Sequence, residues 1–251
     1  MVFFNAPGGG SVIEPVITGL NLDLKRGVGI TRQFDGSDTI TEWQSQDANN
    51  NIAYELLKGR QPRYVNGYAQ FDGDTVSSDA DILTVDHDAA NFAFNDNFSF
   101  FMVARQTPGS IWSGFNTIMQ KGSNGVANRF FINQGFGQAY FNLAGDQTAF
   151  GSGSGLETDA WKVYIVTAES GGTVKTYWRE QGNATINTNT GSWTYGSNPI
   201  GDTANLILAG RFDGGDNSPI EIAEVKMKAG IFTDLEIGLL LQYGLALGEV
   251  L

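Results

Sequence analysis

The chain has 251 residues, 41% of them apolar, with 33 glycines, 12% aromatic residues and no cysteine. That is enough apolar surface for one large core, and it excludes disulfides and thiolate metal sites. A formal net charge of −12 argues against nucleic acid and anionic membranes as partners, because both need a basic face to displace counterions.

Residues 1–18, with Pro7-Gly8-Gly9-Gly10 and Pro15, read as an irregular N-terminal arm, and residues 19–251 as one domain. Met1-Val2-Phe3-Phe4-Asn5-Ala6 lacks the basic start and long apolar core of a secretory signal, and no apolar run reaches the length of a membrane span. Ordered structure is expected to begin with the alternating Leu20-Asn21-Leu22-Asp23-Leu24, followed by a turn-rich stretch from Gln33 to Thr41. Strands separated by turn signals then follow at Tyr68 to Phe71, Phe98 to Arg105, Thr117 to Lys121, Arg129 to Asn133 and Ala139 to Leu143. Phe98 to Ala104 is apolar on both faces and reads as a central strand. Trp161 to Ala168 and Thr173 to Arg179 flank Glu169-Ser170-Gly171-Gly172, which predicts a hairpin; Leu206 to Gly210 is a further strand. Phe-Asp-Gly recurs at Phe34, Phe71 and Phe212 with irregular spacing, so it is turn chemistry and not a repeat.

The last segment is the most telling. Ala223, Val225 and Met227 alternate with Glu224, Lys226 and Lys228, the pattern of a half-buried strand with a polar face, and Ile220 and Ile222 break the phase, which predicts a bulge near Ala223. Thr233 and Glu236 form a capping box, with Phe232 against Ile237 as its hydrophobic staple. Ile237, Leu240, Leu241 and Gly244 give the helix an apolar face to lay on a sheet, with Gly244 or Gly248 expected to end it. Many strands and one helix make this an all-β protein.

Several segments, in this order, resemble the laminin G-like jelly rolls of the concanavalin A-like lectin/glucanase superfamily. They are Trp43-Gln44-Ser45-Gln46-Asp47-Ala48-Asn49-Asn50, Arg60 to Gly67, Ala69 to Gly73, the strand from Phe98, the hairpin from Trp161, and Leu206 to Arg211 with the closing strand and helix. Gln44 and Gln46 stand where Asp is common in that family. The resemblance covers roughly residues 20 to 247 and implies an all-β fold, a two-sheet antiparallel jelly-roll sandwich with one short C-terminal helix.

Catalytic signatures are missing from the string. Glycosidases on such sandwiches carry carboxylates at period two along one strand, whereas Glu221 and Glu224 are three apart, which on a regular strand sends them to opposite faces as exposed glutamates. His87, between Asp86 and Asp88, reads as a solvated turn before it reads as a lyase base. Gly151-Ser152-Gly153-Ser154-Gly155 matches the letters of a nucleophile elbow but lies in a Gly-rich loop expected to be flexible, with no strand-to-helix turn.

No cofactor is expected. Calcium is the metal to test, with Asp213, Asp216 and Asn217 the preferred ligands, and the pairs Asp72/Asp74, Asp79/Asp81 and Asp86/Asp88 behind them. Trp112, Trp193 and Tyr195, in loop-like contexts, are the candidates for stacking on sugar rings, against the alternative that they cap the core. The leading expectation is a non-enzymatic virion protein, a phage head decoration or tail-fibre subunit assembled in the host cytoplasm. It would form homo-oligomers and contact capsid or tail proteins through the arm. The alternative is a carbohydrate-binding lectin module that recognises cell-surface glycans, with a glycan-cleaving enzyme third.

Overall fold

The computed structural model describes residues 3–5, 11–33, 35–73, 80–88, 97–110, 116–122, 130–135, 137–143, 146–156, 158–169, 172–192, 204–210 and 217–249. The strands in chain order begin with β1 (Phe3–Asn5), β2 (Ser11–Ile13), β3 (Leu20–Leu24), β4 (Ile30–Arg32), β5 (Ile40–Gln44), β6 (Ile52–Tyr54), β7 (Arg63–Val65), β8 (Tyr68–Gln70) and β9 (Leu83–Val85). They continue with β10 (Phe98–Gln106), β11 (Asn116–Lys121), β12 (Phe130–Gly135), β13 (Gln138–Leu143), β14 (Asp146–Ala149) and β15 (Lys162–Ala168). The last are β16 (Thr173–Glu180), β17 (Asn187–Ser192), β18 (Leu206–Leu208) and β19 (Ile220–Lys228), followed by the helix α1 (Asp234–Glu249).

Two antiparallel sheets form a sandwich. An eight-stranded sheet runs β17-β16-β15-β10-β19-β8-β7 with β3 also on β19, and a nine-stranded sheet runs β14-β13-β12-β11-β18-β9-β6-β5-β4. The fold class expected from the sequence is the one observed. Between the sheets lies the larger core, in which Trp43, Phe71, Phe98, Phe100, Phe141 and Tyr164 are at most 1% exposed. A second core forms on the other side of the eight-stranded sheet, where Phe101, Val103, Val163 and Ile165 meet Phe232, Ile237, Leu240 and Leu241 around α1. The central strands β10, β15 and β19 are therefore buried on both faces.

The helix begins as expected. Thr233 N–H donates to Glu236 Oε2 at 2.7 Å and Glu236 N–H to Thr233 Oγ1 at 3.2 Å, while Phe232 and Ile237 are both buried. Its end differs: α1 continues through Gly244 and Gly248 to Glu249. A Cβ at Gly244 would lie 2.6 Å from Val163 Cγ2, so this glycine allows the helix to sit close on the sheet rather than stopping it.

β19 carries the expected bulge, since Val103 pairs with Glu224 but Ala104 with Ile222, leaving Ala223 unpaired opposite β10. The bulge corrects the reading of the two glutamates. Ile220, Ile222, Val225 and Met227 all join the inter-sheet core, so Glu221 and Glu224 share the helix-covered face, at 1% and 0% exposed, instead of pointing to opposite faces in solvent. Lys226, expected on a solvated face, is likewise 0% exposed.

The arm, expected to be irregular, holds the antiparallel pair β1–β2, with Phe4 opposite Val12, and β2 lies near α1. Glu14, just beyond it, reaches the sandwich.

Candidate functional site

While α1 covers the centre of the eight-stranded sheet, the outer face of the nine-stranded sheet is open, among the described residues, at its β5 side. Register fixes which side chains lie there. Trp43, Ala53 and Val85 align across β5, β6 and β9 and are at most 1% exposed, so the intervening Glu42, Tyr54 and Thr84, also aligned, point outward. The row passes from buried Gln120 and Ile207 to exposed Glu42 at the β5 side.

At that side the residues Glu42, Asn50, Asn51, Ile52, Tyr54 and Asp86, with Leu56 at 81% exposed, surround an open pocket of about 320 Å³. Its polar centre is organised around one carboxylate. Tyr54 Oη and Asn205 Nδ2 each donate to Asp86 Oδ1 at 3.0 Å. Asn205 Oδ1 accepts from His87 N–H at 2.9 Å, so the asparagine fastens the end of β9 to the start of β18. The bond to Asp86 and partial burial push the Tyr54 hydroxyl up, keeping its proton in place. Asp86 Oδ2 has no protein donor among the described residues. One wall is a loop shaped by Asp47, whose Oδ1 accepts from Asn49 N–H at 2.6 Å and whose carbonyl accepts from Asn50 N–H at 3.4 Å. Asn50 adopts φ 53°, a conformation that asparagine tolerates well, and is exposed. An oriented carboxylate, exposed amides, one tyrosine and two aliphatic side chains can accept from, donate to and pack against a polyhydroxylated ligand.

A second cleft, of about 340 Å³, lies between residues 14–20 and the loop at 46–48, and its floor is ionic. Carboxylate oxygens of Glu14, Asp23 and Glu224 lie within 4.8 Å of one another, which is metal-binding spacing. Lys226 Nζ fills the place of a cation, at 2.8, 2.5 and 2.6 Å from Glu14, Asp23 and Glu224 respectively. Lys25 Nζ adds contacts of 3.0 Å to Glu14 and 3.1 Å to Asp23, and Tyr243 Oη donates to Glu224 Oε2 at 2.7 Å. Burial opposes the charge on Lys226, but Glu224, Asp23 and Glu14 outweigh it and raise its pKa. Burial likewise works against the Glu14 carboxylate, yet Lys226 and Lys25 hold it below its usual value, whereas in Glu224 burial prevails and the pKa is raised.

No family model and no curated sequence matches this chain. Solved structures do match at the level of fold. A GH54 α-L-arabinofuranosidase soaked with 4-nitrophenyl α-L-arabinofuranoside superposes with TM-score 0.60 at 13% identity, covering 92% of this chain and 60% of the other. The receptor-binding domain of botulinum neurotoxin mosaic serotype C/D gives TM-score 0.60 at 12% identity, with 89% and 50% covered. A type C botulinum neurotoxin structure, described with cell entry dependent upon two ganglioside molecules, gives 0.59 at 12%, with 90% and 51% covered. The chain thus spans 50 to 60% of the length of these structures. The shared feature is the β-sandwich.

Of the residues singled out from the sequence, Trp112, Trp193, Tyr195, Asp213 and Asp216 lie outside the described residues. Asn217 is 1% exposed and bridges Thr117, so it lies in the interior rather than on a loop surface. Asp72 and Asp81 exchange hydrogen bonds with each other's backbone N–H, at 3.5 and 3.2 Å, a turn-fastening role. His87 Nδ1 lies 3.2 Å from Lys121 Nζ, so facing an ammonium it is the acceptor. Ser154, in the loop expected to be flexible, is 0% exposed, and its Oγ accepts from Ala139 N–H and donates to Gly151 O. That corrects the reading of the loop and leaves its Oγ engaged in holding the chain. Tyr54 and Asn205 had no sequence signal of their own; Asn50 was named only as the end of the segment from Trp43, and Asp86 only as a calcium candidate with Asp88 and a neighbour of His87.

Proposed function

We propose that this chain is a non-enzymatic carbohydrate-binding module, and that its site is the pocket organised by Tyr54, Asp86 and Asn205. The observation that carries the reading is the Asp86 carboxylate, fixed through Oδ1 by two donors while Oδ2 has none among the described residues, in an open pocket with aliphatic walls. A preset acceptor of this kind can take a sugar hydroxyl without first being ordered. Sandwiches of the same fold include a glycosidase soaked with an arabinoside and a toxin dependent upon gangliosides, which supports the substrate class by analogy. The absence of catalysis is supported by the glutamates of β19: Glu221 is bonded to Arg105 and Gln70, and Glu224 lies under α1 with Lys226 and Tyr243.

Display on a virus particle, the context expected from the sequence, gains no support from these neighbours, and Glu14 in the arm is engaged by the sandwich; particle association is not part of the proposal.

Glycan-array binding followed by calorimetry tests the site. Asp86→Ala and Tyr54→Phe are expected to weaken any glycan bound by the parent chain by about tenfold, the loss of one charge-assisted hydrogen bond. Unchanged affinity in both, with loss in Trp112→Ala or Trp193→Ala, would move the site to the stacking residues named from the sequence.

A further inference from the structure

The pocket carries information about which glycans it accepts. This inference rests on the carbohydrate-binding reading and deepens it. Each polar group around the cavity is either already committed or free. The Tyr54 Oη proton goes to Asp86 and the Asn205 amide N–H to the same oxygen. The Asn51 amide donates to Asn21 O at 2.8 Å. Among the described side chains lining the cavity, that leaves as donors the amide of exposed Asn50 and the second N–H of Asn51.

Acceptors are more plentiful. Among the described residues, Asp86 Oδ2, both oxygens of exposed Glu42, the lone pairs of Tyr54 Oη and the amide oxygens of Asn50 and Asn51 are not engaged by side-chain hydrogen bonds. Among the described residues, no lysine or arginine lines the cavity. Lys121, which contacts the His87 ring beside Asp86, is 0% exposed and gives another bond, of 2.7 Å, to Ala204 O, so its charge stays in the interior. The two carboxylates of the site stand in a chain whose net charge is −12.

Hydroxyl groups suit such a surface because each brings its own proton. Carboxylate and sulfate groups do not: they bring only acceptors and a negative charge, and would meet Asp86 and Glu42 with no cation to bridge them. From this inventory we infer that the pocket binds neutral, hydroxyl-rich glycans and rejects sialylated, uronate-containing and sulfated ones. Glu42 is the specificity determinant, since it is exposed, carries no ion pair among the described residues and faces outward in the same row as Tyr54. Asp86 both binds the sugar and contributes to the repulsion.

The experiment uses an array that pairs neutral glycans with their sialylated, uronate and sulfated counterparts, with hits measured by calorimetry at low and at high salt. A neutral glycan is expected to bind at least about tenfold more tightly than its charged counterpart, as two like-charged contacts in a partly solvated site allow. Glu42→Gln, a change at an exposed position, is expected to narrow that ratio by strengthening binding of the charged member, and salt is expected to narrow it in the parent. Equal or tighter binding of the anionic member, lost in Asp86→Ala, would overturn the inference while leaving the carbohydrate-binding reading intact. Binding of no glycan, neutral or charged, would overturn both.

Discussion

Lys226 and Lys162 lie in the same eight-stranded sheet, at 0% and 1% exposed, and face opposite sides of it. Lys226 lies beneath α1, near Tyr243, and is surrounded by the carboxylates of Glu14, Asp23 and Glu224. Lys162 points to the inter-sheet side, near Trp178, and donates to the carbonyls of Gly153, at 2.8 Å, and Gly155; Glu180, 30% exposed, is its ionic partner at 3.1 Å. One buried cation is compensated by ions and the other mainly by backbone dipoles. The ionic cage draws together segments far apart in the chain and holds more carboxylates than the ammonium at its centre can neutralise. Lys25 offsets part of the excess, and the raised pKa of Glu224 offsets more by favouring its protonated form. The dipolar cage ties Lys162 to a loop less than ten residues away.

Removing the cations should separate the two cages most sharply. Lys226→Met leaves buried carboxylates facing one another and is expected to cost about 3–5 kcal/mol in urea unfolding at neutral pH, the range for an uncompensated buried charge. The loss should shrink as pH falls and those carboxylates take up protons. On the alkaline side the parent keeps the contribution of Lys226 in full below its ordinary pKa of 10.5, and loses it as pH climbs through the raised folded value. The variant should lack that decline.

Lys162→Met is expected to cost less, about 2–3 kcal/mol, because what it leaves behind is neutral carbonyls short of a donor and one carboxylate, Glu180, that water reaches. Its deficit should not change between pH 5 and 8 by more than a few tenths of a kcal/mol. A pH dependence as steep as that of Lys226→Met would erase the distinction drawn between the cages.

Glu14→Gln keeps an acceptor for Lys226 and is expected to cost about 1–2 kcal/mol, with faster proteolysis between residues 11 and 19. Because the pKa of Glu14 is lowered by folding, its contribution is present above the ordinary 4.5 and disappears as pH falls through the lower folded value. The variant should therefore show a shallower acid limb. Asp86→Ala, at an exposed position outside both cages, should move stability by no more than about 0.5 kcal/mol while reducing glycan binding, which separates the pocket from the scaffold.

The sandwich was legible wherever one local rule dominated. Thr233 and Glu236 form a cap within four residues of chain, and β15 and β16 pair through a short turn, so both could be read without knowing what surrounds them. Strand β17, Asn-Thr-Asn-Thr-Gly-Ser, has no apolar alternation; it is a strand because β16 offers it an edge, and the sequence carries no trace of that. The same limit hid the ionic cage. Alternation along β19 assigned Glu224 and Lys226 correctly to the face opposite Val225 and Met227, but a helix and the arm cover that face, and period two cannot see a covering layer. The pocket was hidden because residues 54, 86 and 205 meet only through the pairing of β6 with β9 and of β9 with β18.

β19 also governs the order in which the chain can fold. It pairs β10 along one edge and β8 and β3 along the other, and Lys226 bonds Glu14 across 212 positions. During synthesis β3, β8 and β10 emerge long before the strand that joins them, each with an unpaired edge and an apolar face exposed to other chains. Loop closure over that distance is slow, so these edges stay open until β19 pairs with them. A strand far along the chain therefore decides when much earlier ones become part of a folded protein.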